Sequence, residues 1–267
     1  MYCIRHLLAL VLVGCLCACM SSDAFSPESK TLSVFAAASL AEAFNQIGEL
    51  FQEQHPEVKV SFNFAGSQQL AQQLAQGAPA DVFASANEKQ MLAVITEGRV
   101  ESSGYRQFAG NRLVVILPAD NPAGISSLSD LANMGIRLVL ADQSVPAGQY
   151  AQDFIALAAQ DPEYGPGFQA GVTRNTASYE ENVRAVLSKV LLGEADAGIV
   201  YRTDIVGLDP GQLRVLEIPP QLNQPAAYFI APIADSSQPE LSQDFVAAVL
   251  SPAGQEILSR FGFLPAP

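Results

Sequence analysis

The stretch Leu32-Ser33-Val34-Phe35-Ala36-Ala37-Ala38-Ser39-Leu40 decides the fold class of this chain. Residues 32–36 are mostly apolar and predict a buried β-strand, and apolar side chains at helical spacing predict a helix over residues 39–54. Ser39 and Glu42 have the spacing of a capping box, which would begin that helix. A strand that runs directly into a helix is the repeating unit of an α/β sheet with parallel strands.

The same alternation of short strands and helices continues along the chain. Further strands are predicted over residues 58–64, 81–84, 112–117, 136–141, 171–173, 197–201 and 226–231, and helices over residues 67–76, 88–97, 147–159, 179–192, 241–250 and 253–261. The chain has 267 residues, of which 49% are hydrophobic, so it is long enough for two domains. This order of elements predicts an α/β fold with two lobes.

Two crossings between the lobes are predicted, one near Asn111 and one near Gln224. Residues 31–111 and 225–267 would form lobe 1, because the last strand and helices return to it, and residues 112–224 would form lobe 2. Such a chain leaves a cleft between the lobes, with helix N-termini facing it from both sides. A hinge of this kind closes over a ligand.

The beginning of the chain has the features of an export signal. Arg5 and His6 precede an apolar run over residues 7–14, which is too short to cross a bilayer. The polar residues 19–30 then predict a tether. All four cysteines lie in this region: Cys3, Cys15, Cys17 and Cys19. The remaining chain therefore has no disulfide framework, no thiolate metal site and no cysteine nucleophile.

Two tetrapeptides in the leader resemble a bacterial lipobox, Leu16-Cys17-Ala18-Cys19 and Leu12-Val13-Gly14-Cys15. In such signals the final cysteine is lipidated and becomes the mature N-terminus. We expect residues 1–18 to be a lipoprotein signal peptide and Cys19 to carry the lipid, with Cys15 as the alternative. Ordinary signal-peptide cleavage nearby is the other interpretation. The predicted location is outside the cytoplasm, in the periplasm or at the cell surface, through a lipid anchor.

The charge and the residue inventory argue against several classes of function. The formal net charge is −13, so a basic surface for nucleic acid is not expected. The chain has two histidines, His6 and His55, and no Gly-x-Ser-x-Gly motif, so we predict no catalytic residues and no enzyme activity. Histidine clusters and Asp-x-Asp runs are absent from the sequence, so neither a free-cation site nor a cofactor is predicted.

Three turns offer hydrogen-bond donors without charge. They are Ala36-Ala37-Ala38-Ser39-Leu40, Ala65-Gly66-Ser67-Gln68 and Val145-Pro146-Ala147-Gly148. Each is predicted to join a strand to a helix, where unpaired backbone N–H groups and the helix dipole favour an anion. Several such turns converging on the cleft would form an oxyanion site without arginine or lysine.

Five stretches of the chain carry a resemblance to a known family: Val34-Phe35-Ala36-Ala37-Ala38-Ser39-Leu40, Gly77-Ala78-Pro79-Ala80-Asp81-Val82-Phe83, Val145-Pro146-Ala147-Gly148-Gln149-Tyr150, Glu181-Asn182-Val183-Arg184 and Gly198-Ile199-Val200-Tyr201. Through them the chain resembles the periplasmic or lipid-anchored molybdate-binding proteins of ABC transporters, over residues 32–263. It implies the type II periplasmic-binding-protein fold, with two βα sheets joined by a hinge of two crossings.

The resemblance also implies the ligand and its site. A molybdate or tungstate ion would be held by the hydroxyls of Ser39 and Ser67, the backbone amides of Ala147 and Val183, and the hydroxyl of Tyr201. The motif around Ser67 departs from the run of consecutive serines that is more familiar in the family. The implied partners are a membrane permease and its ATPase, and the receptor is expected to be a monomer. Sulfate, thiosulfate or another tetrahedral oxyanion is the alternative ligand.

Overall fold

The computed structural model describes residues 30–266. The predicted signal peptide, the tether up to residue 29, and Cys15 and Cys19 lie outside these residues. No helix within the described range is long and apolar enough to cross a membrane.

The described residues form the following strands: β1 (Lys30–Ala37), β2 (Val58–Ala65), β3 (Val82–Ser85), β4 (Arg106–Asn111), β5 (Leu113–Pro118), β6 (Leu138–Ala141), β7 (Thr176–Glu180), β8 (Ala197–Tyr201), β9 (Leu213–Glu217), β10 (Ala226–Pro232) and β11 (Leu264–Pro265). The α-helices are α1 (Ala41–Gln54), α2 (Ser67–Ala75), α3 (Glu88–Thr96), α4 (Pro146–Ala158), α5 (Gly167–Asn175), α6 (Val183–Leu191), α7 (Pro239–Leu250) and α8 (Pro252–Arg260).

The strands form two mixed sheets, each covered by helices. The first sheet has the order β11-β4-β10-β3-β1-β2, and the second has the order β7-β6-β8-β5-β9. Strands β1, β2 and β3 are parallel, as are β6, β7 and β8, whereas β10 and β5 pair antiparallel with their neighbours. The α/β architecture with two lobes, predicted from the sequence, is confirmed.

The chain passes between the two sheets twice. The first passage is at Arg112, the single residue between β4 and β5, and the second lies between β9 and β10. Two short backbone segments therefore join the lobes, which is the arrangement that permits a hinge.

The first α-helix begins two residues later than predicted. Residues Ala38–Leu40 form a 3-10 turn, α1 begins only at Ala41, and its N-cap residue, Leu40, makes no side-chain capping bond. The capping box predicted for Ser39 and Glu42 does not form, because both side chains have distant partners. The Ser39 hydroxyl bonds to Tyr228 and the Glu42 carboxylate pairs with Arg184.

The interpretation of the segment before α6 is also wrong. Residues 171–173, predicted as a strand, lie inside α5, and β7 occupies the start of the predicted helix over residues 179–192. Gly171 is needed where α5 crosses the chain at Ala132, because a Cβ there would lie 2.6 Å from the Ala132 Cβ. Strand β7 lies at the edge of the second sheet, where it pairs only with β6, and its residues are half-exposed or exposed. Its sequence therefore lacks the apolar run that would predict a strand. Strands β4, β9 and β11 were not predicted from the sequence.

Candidate functional site

The five residues predicted to bind the ligand line one cavity between the lobes. Its empty space is about 220 Å³, part of which is open to solvent. The cavity is lined by Ala37, Ala38, Ser39, Ala65, Gly66, Ser67, Ala86, Val145, Pro146, Ala147, Asn182, Val183 and Tyr201. None of these side chains carries a charge, so the site suits a small ligand recognised by neutral hydrogen-bond donors.

The first sheet supplies the two serines. Strands β1 and β2 are parallel and in register, with Ala37 opposite Ala65, so the turns that follow them lie side by side. Ser39 lies in the turn after β1, and Ser67 is the first residue of α2. The Ser67 Oγ accepts a hydrogen bond of 3.0 Å from the Ala86 backbone N–H. The Ser67 hydroxyl therefore keeps its own proton for another acceptor.

The second sheet supplies two helix N-termini. Ala147 follows Pro146 in the first turn of α4, and Val183 is the first residue of α6. Amides in the first turn of a helix have no partner within the helix, and the helix dipole favours negative charge there. The Asn182 side chain caps α6 by accepting from the Ala185 N–H at 3.0 Å. Pro146 fixes the direction of the Ala147 amide, and the Asn182 cap fixes that of the Val183 amide.

Tyr201 is the last residue of β8, and 1% of its surface is exposed. Its hydroxyl has no hydrogen-bond partner among residues 30–266. Burial raises the pKa of this hydroxyl well above its ordinary value, so it stays protonated at neutral pH. A buried hydroxyl without a partner costs about 1–3 kcal/mol. An acceptor bound in the cavity would remove that cost.

Arg184 lies close to the cavity but does not line it. Its guanidinium pairs with Glu42 of α1 and, through Nε at 3.3 Å, with the Asp204 carboxylate. Within the described residues, no group of three or more His, Cys, Asp or Glu side chains could hold a metal ion.

A family match agrees with this geometry. Residues 32–264 match the model of the bacterial extracellular solute-binding proteins. The chain belongs to this family. It is 40% identical over 264 residues to the molybdate-binding protein ModA of Mycobacterium tuberculosis H37Rv. The matched region covers 96% of this chain and 95% of the relative. It is 31% identical over 254 residues to ModA of Escherichia coli K12, with 91% and 92% covered.

A solved structure confirms the fold of this solute-binding protein. The periplasmic molybdate-binding protein of Azotobacter vinelandii superposes with a TM-score of 0.76. The match covers 88% of this chain and 100% of the neighbour at 19% identity. It therefore shows that the two share the periplasmic-binding-protein fold. The resemblance predicted from the sequence is confirmed at the level of the family, which is one of binding proteins and not of enzymes.

Several contacts in this solute-binding protein join the lobes around the cavity. The side-chain amides of Gln68 and Gln69 in α2 donate to the backbone carbonyl and the carboxylate of Glu181, at 2.8 and 2.9 Å. Gln90 in α3 donates to the Ser144 carbonyl at 3.3 Å. Together with the pair between Arg184 and Glu42, these bonds hold the cleft closed. The sequence did not predict them, because nothing in the residues next to a glutamine indicates a partner from a distant part of the chain.

Asp204 of this solute-binding protein gives a testable pH dependence. Burial raises the pKa of its carboxyl group to about 7, against partial compensation by Arg184. The folded protein thus holds a proton that the unfolded chain releases above its ordinary pKa of 3.8. The stability due to this proton is lost as the pH rises from about 4 to about 7. Relative to wild type, Asp204→Asn should therefore gain unfolding free energy over this window, by at most about 1.4 kcal/mol per pH unit.

The measurement is urea unfolding of wild type and variant at intervals from pH 4 to pH 7.5. Asp196→Asn is the matched control, because burial would raise the pKa of Asp196 but its bonds from Arg137 lower it. Its difference from wild type should stay constant above about pH 4.5. A constant difference for Asp204→Asn as well would show that the Asp204 carboxylate is ionised throughout.

Proposed function

We propose that this protein is an extracytoplasmic receptor that captures molybdate or tungstate between its two lobes and delivers the ion to an ABC transporter. The observation that carries the proposal is the cavity itself, where two serine hydroxyls, a tyrosine hydroxyl and two helix N-termini converge without a charged side chain. The similarity of the chain to molybdate-binding proteins, over nearly its whole length, supports this ligand.

The donors match the chemistry of the ion. A molybdate ion has four oxygens, two negative charges and no proton at neutral pH, so it needs only donors. Hydrogen bonds to a charged group contribute about 1.5–3 kcal/mol each when buried. About five to seven such bonds support sub-micromolar affinity after the costs of ordering and closure.

The same site disfavours phosphate. Hydrogen phosphate carries a proton and needs an acceptor in its receptor, usually a carboxylate. No carboxylate is among the cavity-lining residues. Sulfate has the charge and shape of molybdate but is smaller, so its exclusion depends on the fit of the cavity. Tungstate, nearly the size of molybdate, should bind as well.

The proposed receptor works as a monomer outside the cytoplasm, in the periplasm or at the cell surface. A lipid on Cys19, or on Cys15, would hold it at the surface through the polar residues up to position 29. It would pass the ion to a membrane permease driven by a cytoplasmic ATPase. The family match supports an extracytoplasmic binding protein of this kind.

The proposal is tested by isothermal titration of residues 26–267 with molybdate, tungstate, sulfate and phosphate in turn. Tight one-to-one binding of the first two, with no response to sulfate or phosphate, is expected. Tight sulfate binding would support the assignment of an oxyanion site but contradict molybdate as its specific ligand. No response to any of the four would overturn the proposal.

Two substitutions test the residues of the site in the same titration. Ser39→Ala should weaken molybdate binding by about 1–3 kcal/mol, because one oxygen of the ion would lose its donor in a closed site. Tyr201→Phe should weaken it by less, because the phenyl ring keeps the shape of the wall. Unchanged affinity in both variants would show that the ion binds elsewhere.

A further inference from the structure

The Tyr228 hydroxyl lies directly behind Ser39, outside the cavity lining. Tyr228 is in β10 and is fully buried. Its hydroxyl lies 2.8 Å from the Ser39 Oγ and 3.3 Å from the Asn111 Nδ2. Asn111 is the last residue of β4, next to the first passage between the sheets, and is also fully buried. These three polar groups form a continuous chain from the hinge to the cavity.

The bonds around Asn111 set the direction of this chain. The Asn111 Oδ1 accepts from the Arg112 backbone N–H at 2.9 Å. The Asn111 Nδ2 must then face Thr203 Oγ1, at 2.8 Å, and the Tyr228 hydroxyl. An amide nitrogen can only donate, so the Tyr228 oxygen receives a hydrogen bond from Asn111.

The phenol proton of Tyr228 has one acceptor, the Ser39 Oγ, among the contacts of residues 30–266. If Ser39 donated to Tyr228 instead, that proton would be buried without a partner, which is unfavourable. Burial also raises the pKa of the Tyr228 hydroxyl, so the proton is not lost at neutral pH. Ser39 therefore receives a bond from Tyr228, and its own proton is left for the cavity.

We propose that Tyr228, oriented by Asn111, is a positioning residue that makes Ser39 a fixed donor to the bound oxyanion. The proposal rests on the proposed function, since it needs an oxyanion in the cavity. A serine already turned toward the ligand does not lose rotational freedom or exchange its proton acceptor when the ion binds. Ser67 is held in the same sense by the Ala86 N–H. Both serines are thus prepared as donors before the ion arrives.

A double-mutant cycle with molybdate tests whether Tyr228 acts through Ser39. The protein is titrated as wild type, Tyr228→Phe, Ser39→Ala and the double variant. Tyr228→Phe should weaken binding about tenfold in the wild-type background. In the Ser39→Ala background the same change should have an effect of less than about twofold. Tyr105→Phe is the matched control, because its hydroxyl bonds to Glu88 outside the cavity, and it should leave the affinity unchanged.

The outcomes separate this proposal from the proposed function. If wild type binds molybdate and Ser39→Ala weakens binding, but Tyr228→Phe has no effect or has the same effect in both backgrounds, Tyr228 does not act through Ser39. If wild type binds no oxyanion, both proposals fail. Should Tyr228→Phe not fold, as judged by thermal unfolding, Asn111→Ala replaces it in the cycle. That change admits a water that can take the phenol proton, and about threefold weaker binding, absent in the Ser39→Ala background, is expected.

Discussion

Replacing Gly148 by alanine is expected to lower the free energy of unfolding by about 3 kcal/mol and to abolish oxyanion binding. Gly148 lies in the first turn of α4, next to Ala147. A Cβ at this position would overlap the carbonyl oxygen of Asp142 and lie 2.5 Å from that of Ala141. Both are backbone atoms at the end of β6, so neither can turn aside as a side chain would. The helix would have to move away from the strand, and the amides of its first turn would leave the cavity.

The measurement is urea unfolding combined with a molybdate titration of the folded fraction. Gly167→Ala is the matched control, because it makes the same change in the first turn of α5, where nothing lies within 4 Å of the added Cβ. That variant should have unchanged stability or gain up to about 1 kcal/mol. Wild-type stability and affinity in Gly148→Ala would show that α4 does not approach the strand so closely.

Replacing Gly66 by valine is expected to weaken oxyanion binding by about 2–3 kcal/mol, about 30- to 150-fold, with little change in stability. Gly66 precedes α2 and has φ −59° and ψ 135°, which any residue can adopt. A Cβ there would lie 2.6 Å from the Glu181 carbonyl oxygen, on the other side of the cleft. The added side chain would therefore hold the lobes apart. Within its own lobe the added Cβ would meet only the end of the Gln68 side chain, at 2.5 Å, and this flexible side chain can turn aside when the lobes are open. The free energy of unfolding without ligand should therefore stay close to that of wild type.

The two effects of Gly66→Val are measured by titration and by thermal unfolding without ligand. Small-angle scattering adds a direct test, because the variant should keep the larger radius of gyration of the open form at saturating molybdate. Gly167→Ala again serves as the control and should bind like wild type. A variant that melts well below wild type would contradict the idea that the clash exists only between closed lobes.

The sequence predicted the elements with strong local patterns. Strand β1, helix α1 and helix α4 have continuous apolar runs or helical spacing, and the structure places them within a few residues of the predicted bounds. The errors fall where pairing decides the local structure. Strand β7 has half-exposed and exposed residues and forms only because β6 offers an open edge. Strands β4, β9 and β11 likewise depend on antiparallel neighbours from distant parts of the chain.

The resemblance of the chain to a known family suggested the site residues before their positions were known. The structure brings Ser39, Ser67, Ala147, Val183 and Tyr201 to one cavity. It also shows what local patterns could not show, namely which partner each group has. Ser39 was expected to cap its helix, yet its hydroxyl meets Tyr228, 189 positions later in the chain. The only signal for Tyr228 in the sequence is a tyrosine within a short apolar strand between prolines.

The sequence by itself determined the α/β class, the two lobes, the family and the neutral chemistry of the turns, because each depends on local order and residue type. Only the tertiary structure decided the direction of the hydrogen bonds and the closeness of the lobes. A hydroxyl can donate or accept, and its choice depends on neighbours that the fold brings from elsewhere. Asn111 and Tyr228 meet Ser39 only because β4, β10 and β1 belong to one sheet. Their contacts orient a serine whose sequence surroundings say only that it follows a strand.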